Sequence, residues 1–189
     1  MRLPERIVTR LLEIPGQRQP DEIIGSSADP YMMRWFLVPK NPVCNVYLHH
    51  FIRSDDYRAL HDHPWPSLSF LLRGDMIEWT FACPRLGPAG RFVKRHLLEG
   101  AITFRRATLA HRIQLLPDWS NVTTAADRKS LCVPDKGAWT LFITGPKLRN
   151  WGFHCPHNRW VPWQDFCKVS TDPTGASEVR RNEIGRGCG

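Results

Sequence analysis

Two histidines separated by a single residue, His61 and His63, are the side chains whose type and spacing most readily do chemistry. On an extended segment, residues i and i+2 leave the same face, so both imidazoles can reach one metal ion. A third imidazole, His111, opens the stretch HRIQLL, in which His111, Ile113 and Leu115 share one face and Arg112 and Gln114 the other. Three neutral imidazoles leave the full charge of a divalent ion in place and leave coordination positions open, which favours an anionic or thiolate ligand. The competing reading is that the imidazoles are satisfied by hydrogen bonds in the interior, with no ion between them. His49 or His50 can add a fourth ligand, but adjacent strand residues face opposite ways, so at most one does; parity with Tyr47 and Phe51 selects His49.

Other residues gather near these histidines. Alternation carries their face past Trp65 to Ser67, which makes both candidates for lining a substrate pocket. Arg53, Arg58, Arg73, Arg105 and Arg106 border the same segments, and an arginine turned inward can clamp a carboxylate or phosphate with its planar fork. His154, Cys155 and His157 in HCPHNRW offer a second metal site, but the set is too small without a partner CxxC. The favoured reading of that segment is a structural plug of Trp151, Phe153, Trp160 and Trp163 over one barrel end. The motifs GxSxG and HExxH and any Gly-rich phosphate loop are absent, which sets aside nucleotide binding and several hydrolase classes.

The elements that must position these groups read as short strands. MMRWFLV, NVYLHHFI, SLSFLLRG, MIEWTFAC, RFVKRHLL, AITFRR, HRIQLL and AWTLFITG alternate with period two and are separated by turn formers, as expected of an all-β barrel or sandwich. Eight tryptophans and sixteen prolines fit such a fold. Ile7, Leu11, Leu12 and Ile14 have helical spacing and predict a short amphipathic helix that ends at Pro15 and Gly16 and covers one side of the barrel. The polar stretch from Pro117 to Gly137 predicts a long exposed loop, a candidate lid or disordered insert. The expected organisation is an N-terminal helix and lead-in over 1–30, a barrel with a C-terminal cap over 31–168, and a polar, disordered tail over 169–189.

Composition bounds the rest. The 189 residues suit one domain, with 42% hydrophobic and 23% charged residues as in soluble globular chains. No apolar run approaches the roughly 20 residues that span a bilayer. The first residues, MRLPERIVTRLLEIPGQ, mix charge into the apolar positions and lack a signal-type core, so a cytoplasmic location is expected. Six cysteines without a CxxC pair are accordingly expected to be mainly free thiols used for packing. The net charge of +8 permits a nucleic-acid partner without implying one, because the arginines are scattered and three of them, Arg180, Arg181 and Arg186, lie in the tail.

The segment HDHPWPSLSFLLRG resembles the first motif of the cupins, an HxH followed by a glutamate and then a glycine, with His61 and Gly74 at the motif's distances. GAITFRRATLAH resembles the second motif through Gly100 and His111, and 25 residues separate Gly74 from Gly100. The match covers roughly residues 45–145, and HDHPW followed by HR, AWTLFITGP and WGF is similar to uncharacterised cupin-like proteins of bacteria and phages. There are departures. Ser67 stands in the place of the motif's glutamate, Arg106 and Thr108 in those of its Pro and Gly, Asp55 replaces the leading Gly, and Leu115 the final Asn. Arg106 thereby becomes the arginine singled out for the pocket, since it sits in the turn leading to His111.

The resemblance implies a double-stranded β-helix, a jelly-roll-like barrel with the short helix at its N-terminus and an aromatic C-terminal cap. It implies a divalent metal inside, Fe(II) favoured and Zn, Mn or Ni open. The ligand set His61, His63 and His111 is similar to that of thiol dioxygenases. The activity implied first is a non-haem Fe(II) dioxygenation of a small polar or thiol-bearing molecule. The alternatives are a sugar or small-molecule isomerase or epimerase and a non-catalytic ligand-binding cupin. A homodimer joined through barrel edges is also implied.

Overall fold

The computed structural model describes residues 2–26, 29–55, 57–83, 85, 87, 90–116, 137–171, 177–184 and 187–188. The chain opens with helix α1, Glu5–Gln17. Pro15 lies in its last turn, where a missing backbone donor forfeits one hydrogen bond, so the helix continues past the predicted break and closes with Arg18 N–H on the Ile14 carbonyl. Its apolar stripe packs Val8, Leu11 and Leu12 onto Trp35, Leu48, Leu72 and Trp139, which lie on the outer face of a sheet. The predicted covering role of the helix is what the structure shows.

Ten strands build the front and back of the barrel in chain order: β1 Glu22–Ser26, β2 Asp29–Phe36, β3 Asn45–Phe51, β4 Leu60–His61, β5 Ser67–Arg73, β6 Asp75–Phe81, β7 Phe92–Leu97, β8 Ile102–Arg105, β9 His111–Leu116 and β10 Ala138–Thr144. The hairpin of β11, Gly152–Cys155, and β12, Arg159–Pro162, follows, then the one-turn helix α2, Trp163–Phe166. Strands β13, Cys167–Thr171, and β14, Ser177–Ile184, pair antiparallel as a separate ribbon.

One sheet runs β1-β2-β3-β10-β5-β8 and the other β12-β11-β4-β9-β6-β7. The pairs β3 with β10, β4 with β9, β5 with β8 and β6 with β7 are antiparallel and nested inside one another. A single long ribbon, with β6 and β7 at its tip, has therefore been rolled so that successive stretches fall alternately in the two sheets. This is the jelly roll, or double-stranded β-helix, and the fold is all-β around one short amphipathic helix. Gly74 turns β5 into β6 with φ +81°, and a Cβ there would meet the Gly137 carbonyl oxygen at 2.6 Å, so the ribbon's turn packs directly on the approach to β10.

Period-two alternation decides which groups enter the barrel. In β9, buried and half-buried residues alternate strictly, placing His111, Ile113 and Leu115 inside as predicted. One end of the interior is apolar, filled by Leu71, Met76, Leu97, Ile113, Leu115 and Ala138, with Phe51 and Ala101 against them. Each of the Leu, Ile and Met side chains contributes about 1.5–3 kcal/mol on burial. The other end is polar and holds the histidines.

Several expectations are corrected. The lead-in over 1–30 contains β1, which pairs with β2, because Ile23 and Ile24 extend the sheet edge before residue 31. The tail expected to be disordered from 169 holds parts of β13 and all of β14, whose backbones pair from Cys167↔Ile184 to Thr171↔Ser177. The aromatic segment after Gly145 keeps its reading as a plug and is built as a hairpin: His157 and Asn158, with φ 59° and 55°, adopt the left-handed conformation that such residues tolerate and reverse the chain. The free-thiol reading fails for Cys155, which is bonded to Cys188 with their Cα atoms 5.4 Å apart, inside the range a bridge requires. The separation of 33 residues follows no motif, so proximity arises only from the fold. Cys44 and Cys83 are free, as expected. The long loop expected from Pro117 to Gly137 lies outside the described residues except for Gly137.

Candidate metal centre

The His-x-His pair sits where β4 gives way to a loop. His61 is the last residue of β4 and pairs in register with His111 on β9, which sets these two imidazoles side by side. His63 follows in the loop, its N–H bonded to the Ala107 carbonyl, and turns back toward the same point. One ring nitrogen from each of His61, His63 and His111 can be chosen such that all lie within 4.8 Å of one another. The structure thus brings together all three predicted ligands.

The residue between the paired histidines does the opposite work. Asp62, 1% exposed, faces away and accepts hydrogen bonds from the Gly152 N–H, His154 Nε2 and Trp160 Nε1, and pairs with Arg149 Nη1 at 2.6 Å. Burial pushes its carboxyl up, but the bonds from His154, Arg149 and Gly152 outweigh that and hold it below the ordinary value. Asp62 therefore pins the β11–β12 hairpin behind the His61 and His63 imidazoles.

Burial also sets the protonation of the histidines. Loss of hydration drives the His61 pKa down to about 4, with the Asp55 carboxylate 3.8 Å from Nδ1 opposing it only in part. His63 falls well below the ordinary value by burial and by the neighbouring His111 and His61, and His111 falls by burial, partly offset by its bond to Glu78. All three are thus neutral at pH 7, the form that ligates a metal.

Glu78 is the functional residue that sequence reasoning missed. It points inward from β6, is 2% exposed, and its Oε1 takes both His111 Nδ1–H at 3.1 Å and Arg105 Nε at 2.6 Å, while Oε2 takes Arg95 Nη2 at 2.6 Å. Burial raises its carboxyl, and the bonds and charges of His111 and Arg105 overcome this to hold it well below the usual range. With Nδ1–H committed to Glu78, His111 presents the lone pair of Nε2 to the other two rings. This is the carboxylate–histidine pairing that fixes tautomer and ring orientation at metal sites. The available signal was the lone carboxylate in MIEWTF, on the face it shares with Met76 and Thr80.

The donor set fits a metal ion. His63 Nε2 and His111 Nε2 are 2.9 Å apart, a distance that an N–H···N hydrogen bond satisfies when nothing bridges them.

The remaining candidates are placed as follows. His49 is buried and inward, as parity required, but Arg34 Nε donates to its Nε2 at 2.9 Å and the Phe142 ring stacks on it at 4.9 Å. Phe142 also lies 6.3 Å from His63, so His49 stands behind an aromatic wall and outside the three-histidine group. Trp65 is half-buried with its ring 6.5 Å from that of His63, and Trp151 stacks at a similar distance on the other side. Ser67 is inward and 2% exposed. Arg106 is on the surface, whereas its neighbour Arg105 is inside at 4% exposed. The reason is register: Arg105 pairs with Ser67 on the inner face and Phe104 is turned out, 64% exposed, against the usual placement of such residues. Of the other arginines, Arg73 pairs with Glu5 and Glu99, and Arg58 lies over the Phe166 ring. His154 and Cys155 are engaged by Asp62 and Cys188, and His157 is exposed, so these three form no second ligand set. The plug reading fits: Trp151 stacks on Trp163 and Phe153 on Phe166.

This architecture defines a class, a jelly-roll barrel with an inward three-histidine group. No family model matches the sequence, and no curated protein matches it. Solved structures with a similar chain trace include Fe(II) HppE in complex with substrate, 14% identical, TM-score 0.44, covering 68% of this chain and 57% of that one. Another is oxalate oxidase in complex with the substrate analogue glycolate, 10% identical, TM-score 0.44, covering 69% of this chain and 59% of that one. KdgF from Halomonas sp. is 13% identical with TM-score 0.40, covering 65% of this chain and 87% of that one. The chain thus spans less than three fifths of the first two. At these scores the likeness carries no functional argument, and the barrel is assigned from its own strand order. No helix among the described residues is long and apolar enough to cross a membrane.

Proposed function

We propose that this protein is a metal-binding barrel that acts as a non-haem Fe(II)-type dioxygenase on a small polar or thiol-bearing molecule, with Zn, Mn or Ni as the other candidate ions. The observation that carries this reading is the group of three inward, neutral imidazoles with no carboxylate among the ligands and Glu78 behind His111. When bound, the ion supplies open positions at which an anionic substrate and dioxygen can be brought together.

The chain's own residues do the rest. Glu78 holds the His111 tautomer, Asp55 faces the far edge of His61, and Asp62 holds the loop that carries His63. Trp65, Trp151 and Phe142 surround the rings and keep bulk water from them. The test is metal analysis of protein purified without added metal, followed by oxygen uptake with a panel of thiols and small acids. Near-stoichiometric iron and substrate-triggered oxygen consumption are expected. Metal-free protein, or closed four-coordinate zinc, refutes the reading.

A further inference from the structure

Across three adjacent strands, Thr144 on β10, Ser67 on β5 and Arg105 on β8 are successive register partners and so form one row on the inner face. All three are buried. The Oγ atoms of Ser67 and Thr144 have no hydrogen-bond partner. Arg105 gives Nε to Glu78, and among the described residues nothing accepts from its Nη1 or Nη2. Arg105 shares the Glu78 carboxylate with the half-exposed Arg95, and the Asp55 carboxylate also acts on it, but only its Nε edge is held by a hydrogen bond. Buried donors without acceptors, and a buried cation paired along one edge only, are unfavourable unless a ligand completes them. The row also lies next to the metal centre, since Glu78 bridges Arg105 and His111, and the charge of Arg105 is felt by His61, His63 and His111 alike.

We propose that Arg105, Ser67 and Thr144 form a carboxylate-binding subsite, so that the substrate is a small carboxylic acid held by one end while its other end faces the three histidines. The proposal deepens the reading above and rests on the barrel interior being the substrate site. Ser67 is essential to it, because it is the register partner of Arg105 and a longer acidic residue there would itself occupy the guanidinium. The free edge of the guanidinium offers two parallel N–H groups, which match a planar carboxylate.

The test is calorimetric titration of acetate, lactate and mercaptoacetate, each against its own amide, into metal-free and Zn(II)-loaded protein, with inorganic phosphate as a further titrant. At least one acid is expected to bind tenfold or more tighter than its amide. Arg105→Lys, which keeps charge but loses the fork, should reduce that preference by tenfold or more with unchanged metal content, and Ser67→Glu should abolish it in metal-free protein. Where Arg105→Lys does not fold, Ser67→Glu decides. No preference for any acid in the parent protein, preference retained in the folded variants, or phosphate bound more tightly than every acid overturns the subsite. Acid preference in a protein that consumes no oxygen upholds the subsite and refutes only the dioxygenase; oxygen consumption without acid preference does the reverse.

Discussion

Replacing Glu78 by glutamine tests the logic of the site most directly. The substitution preserves shape and one acceptor but removes the charge that faces Arg105 at 2.6 Å and Arg95 at 2.6 Å. Arg105 is then a buried cation without its counter-charge, and breaking a buried pair from one side costs about 3–5 kcal/mol. Glutamine can still accept one hydrogen bond, so the lower end, about 3 kcal/mol, is expected. For a domain of this size that is a fall in Tm of about 6–12 °C. A second effect is separable from the first. Glutamine holds the Nδ1–H of His111 more weakly, and loss of such a partner typically weakens metal binding about 10–100-fold. Urea unfolding of metal-free protein reads the first effect, and competition for Co(II) against a chelator reads the second. The double variant Glu78→Leu, Arg105→Met removes both charges and should regain most of the lost stability but not the metal affinity. A single variant within about 1 kcal/mol of the parent and with parental metal affinity would refute the reasoning, as would a double variant no more stable than the single.

Other outcomes follow from the same geometry. His61→Ala and His111→Ala should each abolish metal binding while the barrel stays folded, whereas His96→Ala, on the exposed side of β7, should leave metal content unchanged; full occupancy in either ligand variant by elemental analysis removes the site. In metal-free protein, the unfolded chain takes up a proton on His61 near its ordinary value and the folded chain only near 4, so stability falls as pH drops through that window and is flat above it. His61 alone gives a loss of about 2 kcal/mol at pH 5, and an unfolding midpoint unchanged from pH 7 to 5 contradicts it. Reduction of the Cys155–Cys188 bridge, which closes a 33-residue separation, should lower stability by about 3–4 kcal/mol, measured by unfolding with and without reductant; equal midpoints count against a bridge in the folded protein.

Much of this was legible in the residues. The eight alternating segments all became strands, and the inward faces of β3 and β9 follow from parity at His49 and His111. What escaped reading had physical causes. Strand β4 is two residues long, too short to show a period, and β11 and β12, four residues each, lie in an aromatic run without a clear period-two alternation. Arg105 and Phe104 invert the usual rule, with the charge inside and the ring outside, so the place of Arg106 in the turn before His111 pointed to the wrong arginine. The charge is tolerated only because Glu78 arrives from the opposite sheet, a pairing across 27 residues that no local window contains. The Cys155–Cys188 bridge is likewise a product of the tertiary path.

The nested pairing of the ribbon also fixes an order of assembly. β6 and β7 are joined by a short connection and can pair early, whereas β3 must find β10 across just over half the chain, from Asn45 to Thr144. Loop-closure entropy makes such distant pairings slow, and each inner pair shortens the effective loop for the next one out. His61 and His111 meet in the β4–β9 pair, third of the four from the tip. The three-histidine pocket therefore exists only once most of the barrel has closed, so an ion that binds there would meet a nearly finished molecule: added metal should slow unfolding while leaving the rate of folding almost unchanged.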